Sequence, residues 1–148
     1  MSPFHKPLIW LSEVIKTPPL STQGRVETGY LLRLLQAGET LSMPHSRPMP
    51  SIGKRCHELR VLDDKLNWRI FYRIDEDAII IVHWTSKKSQ TTAKRDIELC
   101  KSRFKSYHLA GGNKGRNQKS ISYLKKAGRV ATHQIFFHFQ KKNLQSSI

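Results

Sequence analysis

Between His57 and Lys88 three short strand-like runs follow one another with small polar turns between them, and this block restricts the fold most. The runs are His57-Glu58-Leu59-Arg60-Val61-Leu62, then Asn67-Trp68-Arg69-Ile70-Phe71-Tyr72-Arg73-Ile74, then Ala78-Ile79-Ile80-Ile81-Val82-His83-Trp84. Strands joined by turns this short pair antiparallel. The middle run alternates. Asn67, Arg69, Phe71, Arg73 and Asp75 project to one face, and Trp68, Ile70, Tyr72 and Ile74 to the other, because strand side chains repeat every two residues. The expectation is that one face buries against a core while the other stays open, presenting Arg69 and Arg73 on either side of Phe71. Such a surface suits a polyanion, and a splayed single-stranded nucleic acid in particular.

The flanking sequence supplies the other elements. Pro7 to Ile15 reads as a first strand, ended by Thr17-Pro18-Pro19 because proline cannot donate to a ladder. Ser21 or Thr22 caps a helix whose apolar positions are Val26, Tyr30, Leu31, Leu34 and Leu35, and Gly38 stops it. Glu39 to Gly53 is a loop held open by Pro44, Pro48 and Pro50, which fix where His45 and Arg47 point. Turns fall at Asp63-Asp64 and Asp75-Glu76-Asp77. The third run is apolar on both faces up to His83, the mark of a central strand. Thr91 or Thr92 caps a final helix with Ile97, Cys100, Phe104 and Tyr107 as its buried stripe. Asp96 and Glu98 near its start, with Lys101, Arg103 and Lys105 near its end, suit the helix dipole. The fold class expected is α+β, a small domain with a mostly antiparallel sheet of about four strands and helices packed on one face.

Charge divides the chain in two. The net charge is +15 over 148 residues, with a pI near 10.2, which calls for an acidic partner such as nucleic acid. Residues 1–108 hold 18 basic and 11 acidic residues, a balance of +7, whereas residues 109–148 hold the other +8 and no acid. The expected organisation is one domain over 1–108 and a basic tail over 109–148, joined through Ala110-Gly111-Gly112-Asn113-Lys114-Gly115. Cys56 and Cys100 form no C-x-x-C and read as small buried hydrophobes in a reducing cytosol. No signal peptide and no membrane-length apolar run is visible, so a cytoplasmic protein that meets no membrane is expected. Acidic residues do not cluster, and His133 and His138 have no companion ligands nearby, so neither metal nor cofactor is expected.

His57-Glu58-Leu59-Arg60, Trp68-Arg69-Ile70-Phe71-Tyr72-Arg73-Ile74 and Ser86-Lys87-Lys88-Ser89-Gln90-Thr91-Thr92 resemble the phage-derived HigB-like branch of the RelE/ParE toxin superfamily. Pro7-Leu8-Ile9-Trp10 and the run from Pro44 to Gly53 fit that branch as well, so the resemblance spans roughly residues 7 to 107. It implies the toxin of a type II toxin–antitoxin pair: an endoribonuclease cutting mRNA on the ribosome, held in check by a cognate antitoxin, commonly a helix-turn-helix protein. The implied reaction is attack of a ribose 2′-hydroxyl on the adjacent phosphate, with no metal required. ParE-like relatives share the fold but inhibit DNA gyrase, and a degenerate member would keep only nucleic-acid or antitoxin binding.

The implied catalytic residues are Arg69, Lys87, Lys88 and Arg60, with RNA contacts from Arg73, Arg47, Phe71 and His57. Arg69 is first choice for phosphate stabilisation, since a planar guanidinium grips two phosphate oxygens. Lys87 and Lys88 sit where the third strand runs out, and either could stabilise charge or move a proton. Arg60 either faces the rim beside Arg69 or pairs with an acid across the sheet. His57 and His83 are candidates for general acid or base, since histidine is the side chain suited to that role near neutral pH, although single histidines in strands are more often structural. A two-residue turn sets Trp84 opposite Arg69, and a three-residue turn sets His83 there. Phe71, Trp84 or Tyr107 could stack on a flipped base or equally belong to the core. Some ribosome-dependent relatives carry a tyrosine near position 94, where this chain has Lys94, which favours a site of lysine and arginine alone.

Overall fold

The computed structural model describes residues 5–11, 20–87 and 91–111, with the side chain of Lys87 excepted. Along the chain run β1 (Leu8–Trp10), α1 (Thr22–Gln36), β2 (Ser46–Pro48), β3 (Cys56–Asp63), β4 (Leu66–Ile74), β5 (Ile79–Lys87) and α2 (Lys94–Leu109). The strands make one sheet in the order β1-β5-β4-β3-β2. The expected α+β class and antiparallel three-strand block are present, with β5 central between β1 and β4.

Two details of the sheet correct the sequence reading. There are five strands instead of about four, because Ser46–Pro48 leaves the proline-rich loop long enough to pair with β3. Pro48 is tolerated there since β2 is an edge strand. And β1 lies parallel to β5, Leu8 opposite Ile79, which the crossover through α1 makes possible. The expected strand beyond Leu11 and its Pro18-Pro19 stop fall outside the described residues.

The helices lie on opposite faces of the sheet, not on one. Leu31, Leu32 and Leu35 of α1 pack with Leu59, Trp68, Ile70, Tyr72, Ile79 and Ile81. Cys100, Phe104 and Tyr107 of α2 pack on the other face with Phe71, Ile80 and Val82. The unbroken apolar run of β5 requires this, since alternate residues feed two cores and each fully buried side chain contributes about 2 kcal/mol. The face of β4 carrying Arg69, Phe71 and Arg73 is therefore covered, and the open face expected there does not exist.

Ser21 is the N-cap of α1, its hydroxyl accepting from Gly24 N at 3.1 Å. The Asp63 carboxylate in turn accepts from Ser21 N at 2.6 Å and from the Ser21 hydroxyl, which ties the start of α1 to the end of β3. That clamp turns Gly24, Thr28, Leu31 and Leu35 inward. Val26 and Tyr30, expected in the core, are instead 57% and 59% exposed. Gly38, at φ 89°, ends the helix as expected. In α2 the stripe of Cys100, Phe104 and Tyr107 is buried with Ile97 packed beside it, but the N-cap is Ala93 and no side chain caps it. Thr92 is engaged elsewhere. Cys56 and Cys100 are free and buried, and burial pushes their thiols up to about 11 and about 12. No helix among the described residues is long and apolar enough to cross a membrane.

Candidate nucleic-acid interface

Strand register gathers the arginines. On the α2 face, Glu58 of β3 lies between Arg47 of β2 and Phe71 of β4. One pleat along, Arg60 stands opposite Arg69, and Arg69 opposite Thr85. Neither Trp84 nor His83 faces Arg69. The connection between β4 and β5 alone would set Trp84 there, and a bulge where Phe71 gives way to Tyr72 advances the register by one residue.

Glu58 is the hub of this array. It is fully buried, and Arg60 Nε donates to its Oε1 at 2.8 Å. Its Oε2 accepts from the Thr92 hydroxyl at 2.7 Å and from Arg47 Nη2 at 3.4 Å, and Arg69 Nη1 lies 3.8 Å away. The same Thr92 oxygen accepts from Arg47 Nη2 at 3.2 Å and from Arg69 Nη1 at 3.3 Å. One donor and two acceptor sites are all a hydroxyl has, and Thr92 uses each of them. Burial alone would raise the carboxyl of Glu58. The hydrogen bonds from Thr92 and Arg60 and the charges of Arg69 and Arg47 outweigh it, holding Glu58 below its ordinary range and ionised at neutral pH.

Three guanidiniums around one carboxylate leave an excess of positive charge, and exposure decides where it acts. The side chain of Arg69 is only 4% exposed, whereas those of Arg47 and Arg60 are 35% and 23% exposed. Arg69 thus lies beneath the strap that leads into α2, not on an open face. Arg60 stands opposite Arg69 but is the more exposed of the two, and the acid it pairs with is Glu58 of its own strand, not one across the sheet. Its Nε is fixed by Glu58, and among the described residues neither Nη nitrogen has a hydrogen-bond partner.

The other expected site residues separate from this cluster. Arg73 is buried, with Nε and Nη2 donating to the two carboxylate oxygens of Asp75 at 2.6 and 2.9 Å. Its Nη1 donates to His108 Nε2 at 2.9 Å, and its guanidinium covers the Phe104 ring at 4.7 Å, so it anchors α2 and has no fork to offer RNA. Burial, and after it the Arg73 charge, hold His108 below its ordinary range. Phe71 is core, not a stacking platform. His57 lies on the α1 face, stacked on Tyr72 at 5.4 Å, because its odd place in β3 turns it away from Glu58 and Arg60. Trp84 packs near Trp68 at 5.5 Å, and Tyr107 is core. His83 joins β5 to α2, its Nε2 3.2 Å from Asp96 Oδ1 and its Nδ1 3.3 Å from Arg103 Nη1. Lys87 ends β5 opposite Asn67, in the row beyond Arg69, and Lys88, His133 and His138 lie outside the described residues. Glu58 and Thr92 were not anticipated. Both lie within the motifs quoted above, and Glu58 also shares strand parity with Arg60.

The α+β fold thus brings one arginine each from β2, β3 and β4 around a single buried carboxylate, with two of the three guanidiniums partly exposed. The model of the family described as "Phage derived protein Gp49-like (DUF891)" matches residues 18–105. The chain belongs to that family, a RelE/ParE-like toxin family of toxin–antitoxin systems, for whose members a cognate antitoxin is implied. No curated protein and no solved structure matches the chain.

Proposed function

We propose that this chain is a HigB-like toxin of a type II pair, an endoribonuclease that cuts mRNA on the ribosome. The observation that carries the reading is the Arg60 guanidinium, fixed at one nitrogen by a buried carboxylate and partly open to solvent beside Arg47. A phosphate oxygen meeting it finds donors already oriented, which is where electrostatic stabilisation of a transition state is strongest. In the reaction the ribose 2′-oxygen bonds to phosphorus and loses its proton, while the bond from phosphorus to the 5′-oxygen breaks and that oxygen gains one. Arg60 and Arg47 take the added negative charge of the phosphorane. Arg69, held beneath by Thr92, contributes its field and the position of its neighbours. We assign the proton transfers to Lys87, the last residue of β5, and to Lys88, which follows it in sequence. No step of this chemistry needs a metal.

The test is mapping of 5′-hydroxyl ends on transcripts within minutes of inducing the chain, wild type beside Arg60→Ala. New ends from the wild type, reduced at least about a hundredfold in the variant, support the reading. Growth arrest without new ends would point instead to a gyrase-directed, non-enzymatic toxin. Neither arrest nor ends would leave a protein that binds nucleic acid or antitoxin alone.

A further inference from the structure

The outward face of α2 is far more basic than anything its helical role requires. Lys94, Arg95, Lys101 and Lys105 are exposed along it, with Glu98 as the acid among them. Glu98 lies 3.6 Å from Lys101, both largely in solvent, a pairing worth little. The opposite helix has no such bias, since the charged residues of α1 are Arg25, Glu27 and Arg33. The start of α2 is also wrong for stability. Lys94 and Arg95 occupy the first two helical positions, where the dipole disfavours cations, while Asp96, the acid that would answer it, is turned inward toward His83. A local rule broken without structural gain is expected where a surface serves binding.

Placement gives the surface its meaning. The helix begins two residues after Thr92, the residue hydrogen-bonded to Glu58, Arg47 and Arg69. From Lys94 to Lys105 it advances roughly 16 Å away from the arginine cluster, and the sequence that follows, residues 109–148, carries +8. We infer that the outer face of α2 is a second RNA-binding surface, a track for the phosphates of single-stranded RNA running out of the Arg47/Arg60 cluster. Its contacts are to phosphate and carry no sequence preference. The inference rests on the RNA-cleaving reading above and extends it from one phosphate to the strand around it.

The experiment uses the full chain and a fluorescein-labelled 20-nucleotide RNA with every 2′-hydroxyl methylated, which cannot undergo internal attack. Binding is titrated from low to moderate salt for the wild type and for a Lys94→Gln, Lys101→Gln, Lys105→Gln variant. A charge-matched control carries Arg33→Gln, Lys54→Gln and Arg55→Gln. Removing one cation from a phosphate lowers the slope of log K against log salt by about 0.7, so the α2 variant is expected to lose about 2 and the control far less. Equal slopes for the α2 variant and the wild type would overturn the inference, even if cleavage has been found. Equal losses in both variants would overturn it too, by showing only a general charge effect. Tighter binding of duplex DNA than of this RNA would remove RNA as the occupant. Cleavage is read from transcript ends and the track from salt slopes, so failure of one is visible apart from failure of the other.

Discussion

The Thr92 hydroxyl donates to Glu58 Oε2 at 2.7 Å, fastening the segment before α2 to the middle of β3. Both residues are buried, and Arg47 and Arg69 share the same oxygen of Thr92. Thr92→Val keeps the shape and removes the hydroxyl, leaving a buried carboxylate oxygen without its shortest bond. We expect a loss of about 2 kcal/mol, read as a lower urea midpoint with an unchanged slope. Thr92→Ser should recover most of it. A stable valine variant would show that the strap is held by α2 packing alone.

Arg60 and Arg69 face each other across two strands, yet their removal should separate stability from activity. Arg69→Ala deletes a nearly inaccessible charge beside Glu58 and should cost about 3 kcal/mol. Arg60→Ala deletes a partly solvated one but also takes the donor from Glu58 Oε1, and should cost about 2 kcal/mol. Arg60 is accordingly the cleaner probe of chemistry. Thermal melts of the two variants check this, and equal destabilisation would contradict the burial difference.

Glu58 makes stability depend on acid. Its folded pKa is depressed, so its contribution is complete above the unfolded value near 4.5 and is lost as pH falls through the lower folded value. Glu58→Gln should be destabilised by about 3 kcal/mol at pH 7. The gap from wild type should hold to pH 5 and narrow toward pH 3. Urea titrations at those three values would show it, and a gap independent of pH would mean that Glu58 is not the group titrating.

Gly24→Ala would ordinarily help a helix, by about 1 kcal/mol. Here the added Cβ would lie 2.6 Å from the Asp63 carboxyl carbon. That carboxylate is pinned by Ser21 and cannot swing aside freely. The expected sign is reversed, a loss of about 2 kcal/mol. A double-mutant cycle with Asp63→Ala should recover part of the loss, and additivity would place the strain elsewhere.

The two thiols give a probe of opening. With Cys56 and Cys100 pushed up to about 11 and about 12 and buried, alkylation of the native protein at pH 8 should be at least about a hundredfold slower than in denaturant. Fast native labelling of Cys100 would show that α2 lifts from the sheet on its own.

Periodicity made much of this fold legible. The alternation of β4 and the stripe of Cys100, Phe104 and Tyr107 depend on neighbours two to four residues away, and both are as read. What misled was the character of arginine. Arg69 and Arg73 look like an open face because each is charged, yet Glu58 and Asp75, with Thr92 from a distant strap, let both be buried. Glu58 and Thr92 are distant in sequence from Arg69, so no local window could reveal them, whereas Asp75 lies two residues from Arg73 on the same face and was within reach. The bulge that brings Thr85 opposite Arg69 is likewise invisible in composition, and a strand as short as Ser46–Pro48 has too few residues to show a period.

The parallel pairing of Leu8 with Ile79 has a consequence in time. A chain emerging from its N terminus must hold its first strand without a neighbour until β5 has been made, because local hairpins close early and distant pairings late. Thr92 emerges later still. Completion of the arginine cluster is thereby tied to completion of the fold, and a chain cut short between residues 69 and 92 carries all three arginines without the hydroxyl that gathers them.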